Sequence, residues 1–416
     1  MSERLIIENF LGLKNIDMEV RDINILIGAQ SVGKSVCAKL LYYFKICIHD
    51  FYNLNFISKT KREFDNALSE SFYRYFPKQF LGTSEFKIRY EIGTAYIEIY
   101  NKNNINISYS DIFSDSRKTF KKELQKIQDN AKNSKSIRIQ HDQSTPIFIE
   151  FLEQINQELG NPTGFYQTFI PSGRSTYSFL HKNIFTFLSN NAPIDTFLIA
   201  FGGFYESIKD FYLLNRETKG TSKQIKKILN QLLSGTYIKV REEDYIALND
   251  GRNISVISAS SGQQEILPLI IILDCFIKDI IPNSNTLYIE EPEAHVFPTS
   301  QKLIVELIAY AYNLSKSPLQ FFITTHSPYI LTSFNNLMRA GILQKKLSPE
   351  KLKKLYKIVP ENQIIDPDKV RAYTLEDGKL ISLLDNEYKI INANTIDDVS
   401  NELGEIFSSL LDMEYE

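Results

Sequence analysis

Eight consecutive residues near the N-terminus are of the types that bind phosphate, because they combine glycines with a lysine and a hydroxyl group. They match the pattern GxxxxGK[ST] at every fixed position. These residues are Gly28, Ala29, Gln30, Ser31, Val32, Gly33, Lys34 and Ser35. Glycines let backbone N–H groups point inward around phosphates. Lys34 would neutralise the β- and γ-phosphates and Ser35 would ligate Mg²⁺, so the segment predicts a loop that binds ATP.

Two apolar runs further along the chain end in side chains that could act on those phosphates. The first, TLYIEE, ends in Glu290 and Glu291 and has the form of a Walker B strand. At a strand end beside the loop, Glu290 would hold Mg²⁺ and Glu291 would polarise the attacking water. The second, FFITTH, ends in His326, which could sense the γ-phosphate. Either run alone is uninformative, but together they predict an ATPase site.

A fourth group lies at the start of an apolar helix. Small and polar residues at a helix N-terminus form an anion site, although an ordinary helix cap has the same composition. The group comprises Ser260, Ser261, Gly262 and Gln263.

The elements around the loop predict an α/β fold. Short β-branched runs at 5–10 and 23–28 read as strands, and 36–48 reads as a buried helix, giving strand, glycine loop and helix. Alternation over 85–109 predicts antiparallel hairpins in a second small sheet. The charged stretch 114–135 predicts either a projecting or mobile segment or an ordinary helix with a solvated face.

The rest of the chain reads as helices and hairpins. A strand is expected at 165–171, helices at 194–215 and 222–234, and a hairpin at 236–248. Beyond His326, a Lys-rich helix at 345–354, a hairpin around Asp377-Gly378 and a closing helix at 396–413 are expected.

The ordered set GAQSVGKS, SASSGQQ, LYIEEPEAH and ITTHSP resembles the ABC-type ATPases of the SMC and RecF group. The similarity is greatest to the overcoming-lysogenisation-defect (OLD-like) ATPases, in which EEPEAHLFP and TTHSP recur. The opening LIIENFLGLKNIDMEV and the segment FIPSGRS are similar to parts of those proteins as well. The resemblance implies an ABC-type P-loop core with an antiparallel β insertion, an inserted helical lobe and a small α+β C-terminal extension.

The resemblance also implies roles for individual residues. Ser260 and Gly262 would be signature residues that complete the site of a second subunit. Glu290 would hold the metal, Glu291 would be the catalytic base, and His326 would be the switch histidine. There are two departures: Glu290 stands where most ABC proteins have Asp, and the signature lacks its leading Leu and second Gly. They predict either slow hydrolysis or a site that favours ATP-held dimers over rapid turnover. Gln30 stands where many relatives have Asn, and no Q-loop glutamine is assigned.

The organisation that follows from these motifs is one ATPase core interrupted by insertions. Residues 1–113 and 251–340 would form the core, with the β insertion in the first part. The lobe and the extension would be 114–250 and 341–416.

The C-terminal residues suggest the kind of biological system to which the ATPase belongs. Relatives of the OLD and Gabija types continue into a nuclease domain, whereas VRAYTLEDGKLISLL and the residues after it resemble stand-alone ATPases of two-component anti-phage systems. AriA-type subunits of the PARIS system are the preferred comparison, and the Septu ATPase is the second. This resemblance implies a sensor and scaffold for a separately encoded nuclease or toxin, set off by a phage-encoded trigger protein.

The composition of the chain limits the kinds of partner that it is expected to bind. The net charge of −3 gives no global basic field for nucleic acid. The longest apolar stretch, 266–277, is too short to cross a bilayer, and the three cysteines read as buried thiols of a cytoplasmic protein. We expect a head-to-tail dimer around two ATP molecules, which could build higher oligomers. A RecF-like or SMC-like DNA-repair ATPase is the alternative, and a membrane-transporter subunit fits the motifs least.

Overall fold

A computed structural model describes most of the chain. The described residues are 2–133 apart from 59, 83 and 103, then 165–177, 194–215, 222–392 apart from 386, and 405–408.

A mixed sheet of eleven strands organises the described residues, in the order β6-β5-β4-β1-β2-β14-β13-β3-β12-β11-β7. Its strands are β1 Glu3–Phe10, β2 Leu13–Val20, β3 Ile23–Ile27, β4 Phe86–Ile92, β5 Ala95–Asn101, β6 Ile105–Tyr109, β7 Tyr166–Ile170, β11 Asn285–Glu290, β12 Leu319–Thr325, β13 Val370–Glu376 and β14 Lys379–Ser382. Strands β8 Gly235–Val240, β9 Glu243–Leu248 and β10 Asn253–Ser255 form a separate antiparallel sheet.

One half of the main sheet is parallel and positions the motifs. Strand β12 pairs in parallel with both β3 and β11, and β7 pairs in parallel with β11. All residues of β3, β11 and β12 are buried, as expected for strands covered on both faces. Because parallel strands end at the same edge, the residues that follow β3, β11 and β12 come together there.

The other half is antiparallel. Strand β1 pairs with β2 and β4, and β5 joins β4 to β6. Burial alternates along β4, so one face packs on a core. The hairpins predicted for 85–109 are therefore confirmed, but the second small sheet is wrong. Strand β1 pairs with β4 and so extends the main sheet.

Two strands from the end of the chain lie inside this sheet. Strand β13 pairs in parallel with β3, with Ala372 opposite Ile25. Strand β14 joins β13 to β2, where Lys379 lies opposite Asn15. Part of the segment expected to form an extension thus lies directly beside the strand that carries the glycine loop.

Helices cover both faces of the sheet, and an apolar core lies on each side. The helices are α1 Lys34–Ile57, α2 Lys61–Tyr75, α3 Lys78–Leu81, α4 Asp111–Asn133, α5 Thr196–Leu214, α6 Lys223–Leu233, α7 Ser261–Ile277, α8 Pro298–Leu314, α9 Pro328–Gln344 and α10 Pro349–Ile358. Proline is the first residue of α8, α9 and α10, where its missing N–H costs nothing.

Several predicted elements are confirmed, with shifted ends. The strand expected at 165–171 is β7, and the helices at 194–215 and 222–234 are α5 and α6. The hairpin at 236–248 is β8 and β9. The Lys-rich helix begins later than expected, as α10, because Pro349 starts it. The closing helix lies outside the described residues, except for a helical turn at 405–408.

Of the two predictions for 114–135, the helix with a solvated face is confirmed for the described residues, and the projecting segment is wrong for their first half. Helix α4 buries Phe113 and Phe120 and contacts α1, so its first half is packed. The apolar residues of α4 recur on one face of the helix, and the high charge content of the segment made this apolar stripe hard to recognise in the sequence. Residues 134–164, which include the end of the predicted segment, lie outside the described residues.

Candidate nucleotide-binding site

The glycine loop joins the end of β3 to the start of α1, as its pattern predicts. Gly33 has a φ of 103° and immediately precedes the first residue of α1. A Cβ atom at Gly33 would lie 2.6 Å from Leu13 Cδ2, so a side chain is excluded by both backbone conformation and space. Within the loop, Ala29, Gln30 and Ser31 are exposed.

Lys34 lies at the centre of the loop and is only 6% exposed. Its Nζ donates to the carbonyl oxygens of Gly28 at 2.8 Å and Ala29 at 2.6 Å. Burial lowers the pKa of Lys34, and the charges of Glu291 and Glu293 oppose that change. Ser35, the next residue of α1, is exposed. The loop therefore holds one ammonium group on two of its carbonyl oxygens, and the positive charge of this group is suited to phosphate.

Glu290 is the last residue of β11 and is 5% exposed. Its Oε2 accepts a hydrogen bond from the Ser172 N–H at 3.4 Å, whereas its buried Oε1 has no partner among the described residues. A buried carboxylate oxygen without a donor is costly unless a cation or water satisfies it. Glu290 thus fits the Mg²⁺ that ATP brings, and Ser35 Oγ is a second oxygen of the kind that Mg²⁺ prefers.

Glu291 follows in a left-handed backbone conformation, with a φ of 43°. This conformation costs a residue with a Cβ roughly 1–2 kcal/mol. A hydrogen bond of 2.8 Å from its N–H to the carbonyl of Thr324 in β12 holds it there. The side chain is partly exposed, at 37%, so its carboxylate can be reached by water.

His326 is the residue that contacts both Glu291 and Lys34. Its Nε2 lies 3.5 Å from Glu291 Oε1 and 3.3 Å from Lys34 Nζ. The residues at the ends of β3, β11 and β12 therefore meet at one edge of the sheet. The predicted catalytic residues Lys34, Glu291 and His326 are brought together, and Gly28 and Glu290 lie beside them.

Glu293 also belongs to this cluster, although no role was predicted for it. Its Oε1 accepts hydrogen bonds from the Thr325 hydroxyl at 2.8 Å and the His326 N–H at 2.5 Å. Its Oε2 is buried without a partner among the described residues. Glu293 ties the turn after β11 to the turn after β12, and its place in the EEPEAH string was the only signal for it.

The predicted signature residues lie in the first turn of α7 and next to it. Ser260 caps this helix by accepting from the Gln263 N–H, and the Ser260 N–H donates in turn to Gln263 Oε1. This is the capping box that the composition allowed. Gly262 lies so close to the turn after β11 that an added Cβ would stand 2.7 Å from the His295 carbonyl oxygen. Ser261 is exposed.

The hydrogen bonds of this turn are local or reach the lobe, as from Gln263 Nε2 to the Leu233 carbonyl. None of the hydrogen bonds described for residues 260–263 reaches the glycine loop at 28–35.

The parallel sheet with a glycine loop, two strand-end carboxylates and a strand-end histidine defines a P-loop nucleotide-binding protein of the α/β class. The chain belongs to the AAA ATPase domain family, whose model matches residues 49–331, more than half of the chain. This match begins after the glycine loop, so the loop is identified by its pattern and geometry. ATPase or nucleotide-binding activity follows from the family, and ATP binding of this kind typically involves Mg²⁺.

Solved structures show low similarity over most of the chain. An SMC head bound to the C-winged helix domain of ScpA is 12% identical with a TM-score of 0.41, covering 92% of this chain and 97% of its own. The SMC head domain from Thermotoga maritima is 10% identical with a TM-score of 0.37, covering 92% and 97%. The recombination mediator protein RecF is 12% identical with a TM-score of 0.33, covering 92% and 98%. No curated protein matches the sequence.

The α/β P-loop core expected from the sequence is confirmed. The domain boundaries and the roles of individual site residues stay predictions. None of the described helices combines the length and apolar character that a bilayer crossing needs.

Proposed function

We propose that this chain hydrolyses ATP between two copies of itself and acts as the sensor and scaffold subunit of a two-component anti-phage defence system. The observation that carries the ATPase step is the meeting of Lys34, Glu291 and His326 within 3.5 Å contacts at one sheet edge. Beside them lies the unpaired Oε1 of Glu290.

Each residue has a chemical part in this proposal. The loop amides and Lys34 bind the phosphates, which the N-terminus of α1 also attracts. Ser35 and Glu290 would hold Mg²⁺, which neutralises phosphate charge when bound. Glu291 orients water as the general base, and its partial exposure of 37% leaves it accessible. His326 lies between Glu291 and Lys34, where it can respond to the γ-phosphate.

The second copy is proposed because the signature turn and the glycine loop share no described hydrogen bond. In a head-to-tail pair, Ser260, Ser261, Gly262 and Gln263 of one copy would contact the ATP held by the loop of the other. The N-terminus of α7 supplies the partial positive charge for such a contact. The two ATP molecules would then be part of the interface, and higher oligomers could be built from such pairs.

The defence role is supported by the motif resemblance alone, which is an argument from analogy. EEPEAH, ITTHSP and the tail of the chain resemble stand-alone defence ATPases of the PARIS and Septu kinds. In this role the ATPase holds a separately encoded nuclease or toxin and releases it when a phage-encoded protein is detected. The protein would act in the cytoplasm.

Mass photometry of wild type and Glu291→Gln, with and without Mg²⁺ and ATP, tests the proposal. The variant should bind ATP and accumulate as a dimer or larger assembly, because the base is lost while binding remains. The assembly should also capture the product of the adjacent gene. Hydrolysis at the wild-type rate in Glu291→Gln would refute the assignment of the base.

The same samples test the DNA-repair alternative. A protein that ignores the neighbouring gene product, stays dimeric and binds duplex DNA only with ATP would overturn the defence role. Salt sensitivity of that binding would identify phosphate contacts.

A further inference from the structure

Arg174 is the largest of the fully buried side chains, with 1% of its surface exposed. It lies in the turn after β7, beside the carboxyl end of β11. A buried guanidinium can donate five N–H groups in a fixed plane, so it links acceptors that must hold a constant geometry. Its Nη1 donates to the Pro171 carbonyl of its own turn at 3.1 Å, and its other partners come from two motifs of the proposed ATPase site.

The first set of partners is the turn that carries the catalytic carboxylates. Arg174 Nη1 donates to the Glu290 carbonyl at 2.9 Å, and Nη2 donates to the Glu291 carbonyl at 3.2 Å. Glu291 is the residue held at a φ of 43°. Its N–H is bound by β12 and its carbonyl by Arg174, so both sides of the strained residue are fixed.

The second partner is the helix that begins at the signature residues. Arg174 Nε donates to the Glu265 carbonyl at 2.7 Å, and it lies 3.3 Å from Glu265 Oε2 in a charge contact without hydrogen-bond geometry. Glu265 is 1% exposed, and its Oε1 also accepts from the Ser175 N–H. The first turn of α7 is thereby fixed to the turn after β7.

The same two motifs also touch directly, because Gly262 abuts the His295 carbonyl. The Glu291 turn and the start of α7 thus form one unit, joined by Arg174 on one side and by the Gly262 contact on the other. Burial lowers the pKa of Arg174, while Glu265, Glu293, Glu291 and Glu290 oppose that shift. The negative charges of these four residues therefore favour the protonated guanidinium, and the Glu265 carboxylate lies in direct contact with it.

We propose that Arg174 is a positioning residue for ATP hydrolysis, which fixes the Glu291 turn and the signature end of α7 in one geometry through Glu265. The proposal rests on the proposed function. In the head-to-tail pair, Glu291 serves the ATP of its own loop, while the signature turn serves the ATP of the partner. Arg174 then links the two ATP sites within one chain, so that engagement of one biases the carboxylate at the other.

Arg174→Lys tests this link with little change in charge. A lysine ammonium lacks the planar set of N–H groups with which Arg174 donates to four carbonyl oxygens, so the Glu291 turn should lose its fixed position. We expect ATP affinity, measured with a fluorescent ATP analogue, to stay within about twofold, and kcat to fall about 10- to 100-fold. Arg252→Lys is the matched control, because Arg252 is 70% exposed and pairs with Asp250 in its own turn. Its kcat and affinity should equal those of the wild type.

A second variant separates positioning from mere stability. Arg174→Met with Glu265→Met removes both buried charges together, a change that buried pairs often tolerate. It should melt within a few degrees of the wild type, yet keep the low kcat of Arg174→Lys. Recovery of wild-type kcat in the double variant, or unchanged kcat in Arg174→Lys, would overturn the proposal. Turnover by the wild type in the same assay tests the proposed function separately, since it does not depend on position 174.

Discussion

The buried charges around Lys45 are fully paired, whereas those around Lys34 are not. Lys45 is 0% exposed and lies in the same helix as Lys34, three turns further on. Its Nζ is 2.9 Å from Glu3 Oε1 and also donates to Thr286 and Gln320. Glu3 accepts in turn from Tyr90 at 2.9 Å and from Gln320 at 3.0 Å.

Near the N-terminus of the helix, Glu290 Oε1 and Glu293 Oε2 are buried with no partner among the described residues. Both groups of charges lie on the same sheet and the same helix. The difference between them therefore reflects the function of their polar atoms, which is structural around Lys45 and ligand binding around Lys34. A network that is paired throughout fixes β1, α1 and β12 against one another. A cluster with unpaired oxygens has binding capacity left for a ligand.

The largest expected effect is that of Lys34→Ala on ATP binding. Loss of the ammonium group that donates to the loop carbonyls at 28 and 29 should weaken ATP binding about a thousandfold, about 4 kcal/mol. Titration with a fluorescent ATP analogue measures this. Lys39→Ala, in the same helix but paired with Asp195, should bind ATP as the wild type does. Equal losses in both variants would refute the comparison.

Lys45→Met should act on stability and leave binding intact. It leaves Glu3 buried without its cation, so the free energy of unfolding should fall by about 3 kcal/mol. Urea unfolding followed by circular dichroism measures the loss. Glu3→Gln added to Lys45→Met should restore part of it, because no unpaired charge remains. A drop in ATP affinity at unchanged stability would contradict the structural role.

Mg²⁺ with ATP should satisfy the unpaired cluster and so raise stability. In Glu291→Gln, which should not consume ATP, a nucleotide concentration of about 100 times Kd should add about 2.7 kcal/mol. Thermal unfolding in the presence of Mg²⁺ or EDTA measures the metal-dependent part. That part should be lost in a further Glu290→Gln variant and kept in Glu350→Gln, whose side chain is exposed. An equal Mg²⁺ effect with and without Glu290 would remove its metal role.

His326→Gln should have the smallest effect. Glutamine retains a hydrogen-bonding side chain near Glu291 and Lys34 but cannot take a proton in the neutral pH range. We expect kcat to fall about tenfold, or about 1.4 kcal/mol, at unchanged ATP affinity. Steady-state turnover and analogue titration together measure this. A large loss of affinity would instead make His326 a binding residue.

The sequence predicted the motif-bearing elements well because each is local. A glycine loop, a strand ending in Glu290 and a strand ending in His326 are read within a few residues. Their meeting at one edge follows from the parallel order of the strands. The capping box at Ser260 and Gln263 was visible in the same way.

What the sequence did not predict depends on pairings across the chain. The place of β13 beside β3 joins residues more than three hundred positions apart, and nothing local in either strand specifies it. The same holds for Arg174, whose partners lie in β11 and α7. Its arginine was visible in FIPSGRS, but only the folded chain shows which carbonyls it reaches.

The position of β13 has a consequence for how the protein is made. A ribosome releases the glycine loop early, whereas β13 emerges only after residue 370. Until then β3 lacks its neighbour on one side, and Gly28 cannot lie against Thr374. In the folded chain, Thr374 Oγ1 is 3.3 Å from the position that a Cβ added at Gly28 would take. Nascent or prematurely terminated chains should therefore fail to retain ATP. A chain that binds nucleotide would then be one in which β13 has already been synthesised.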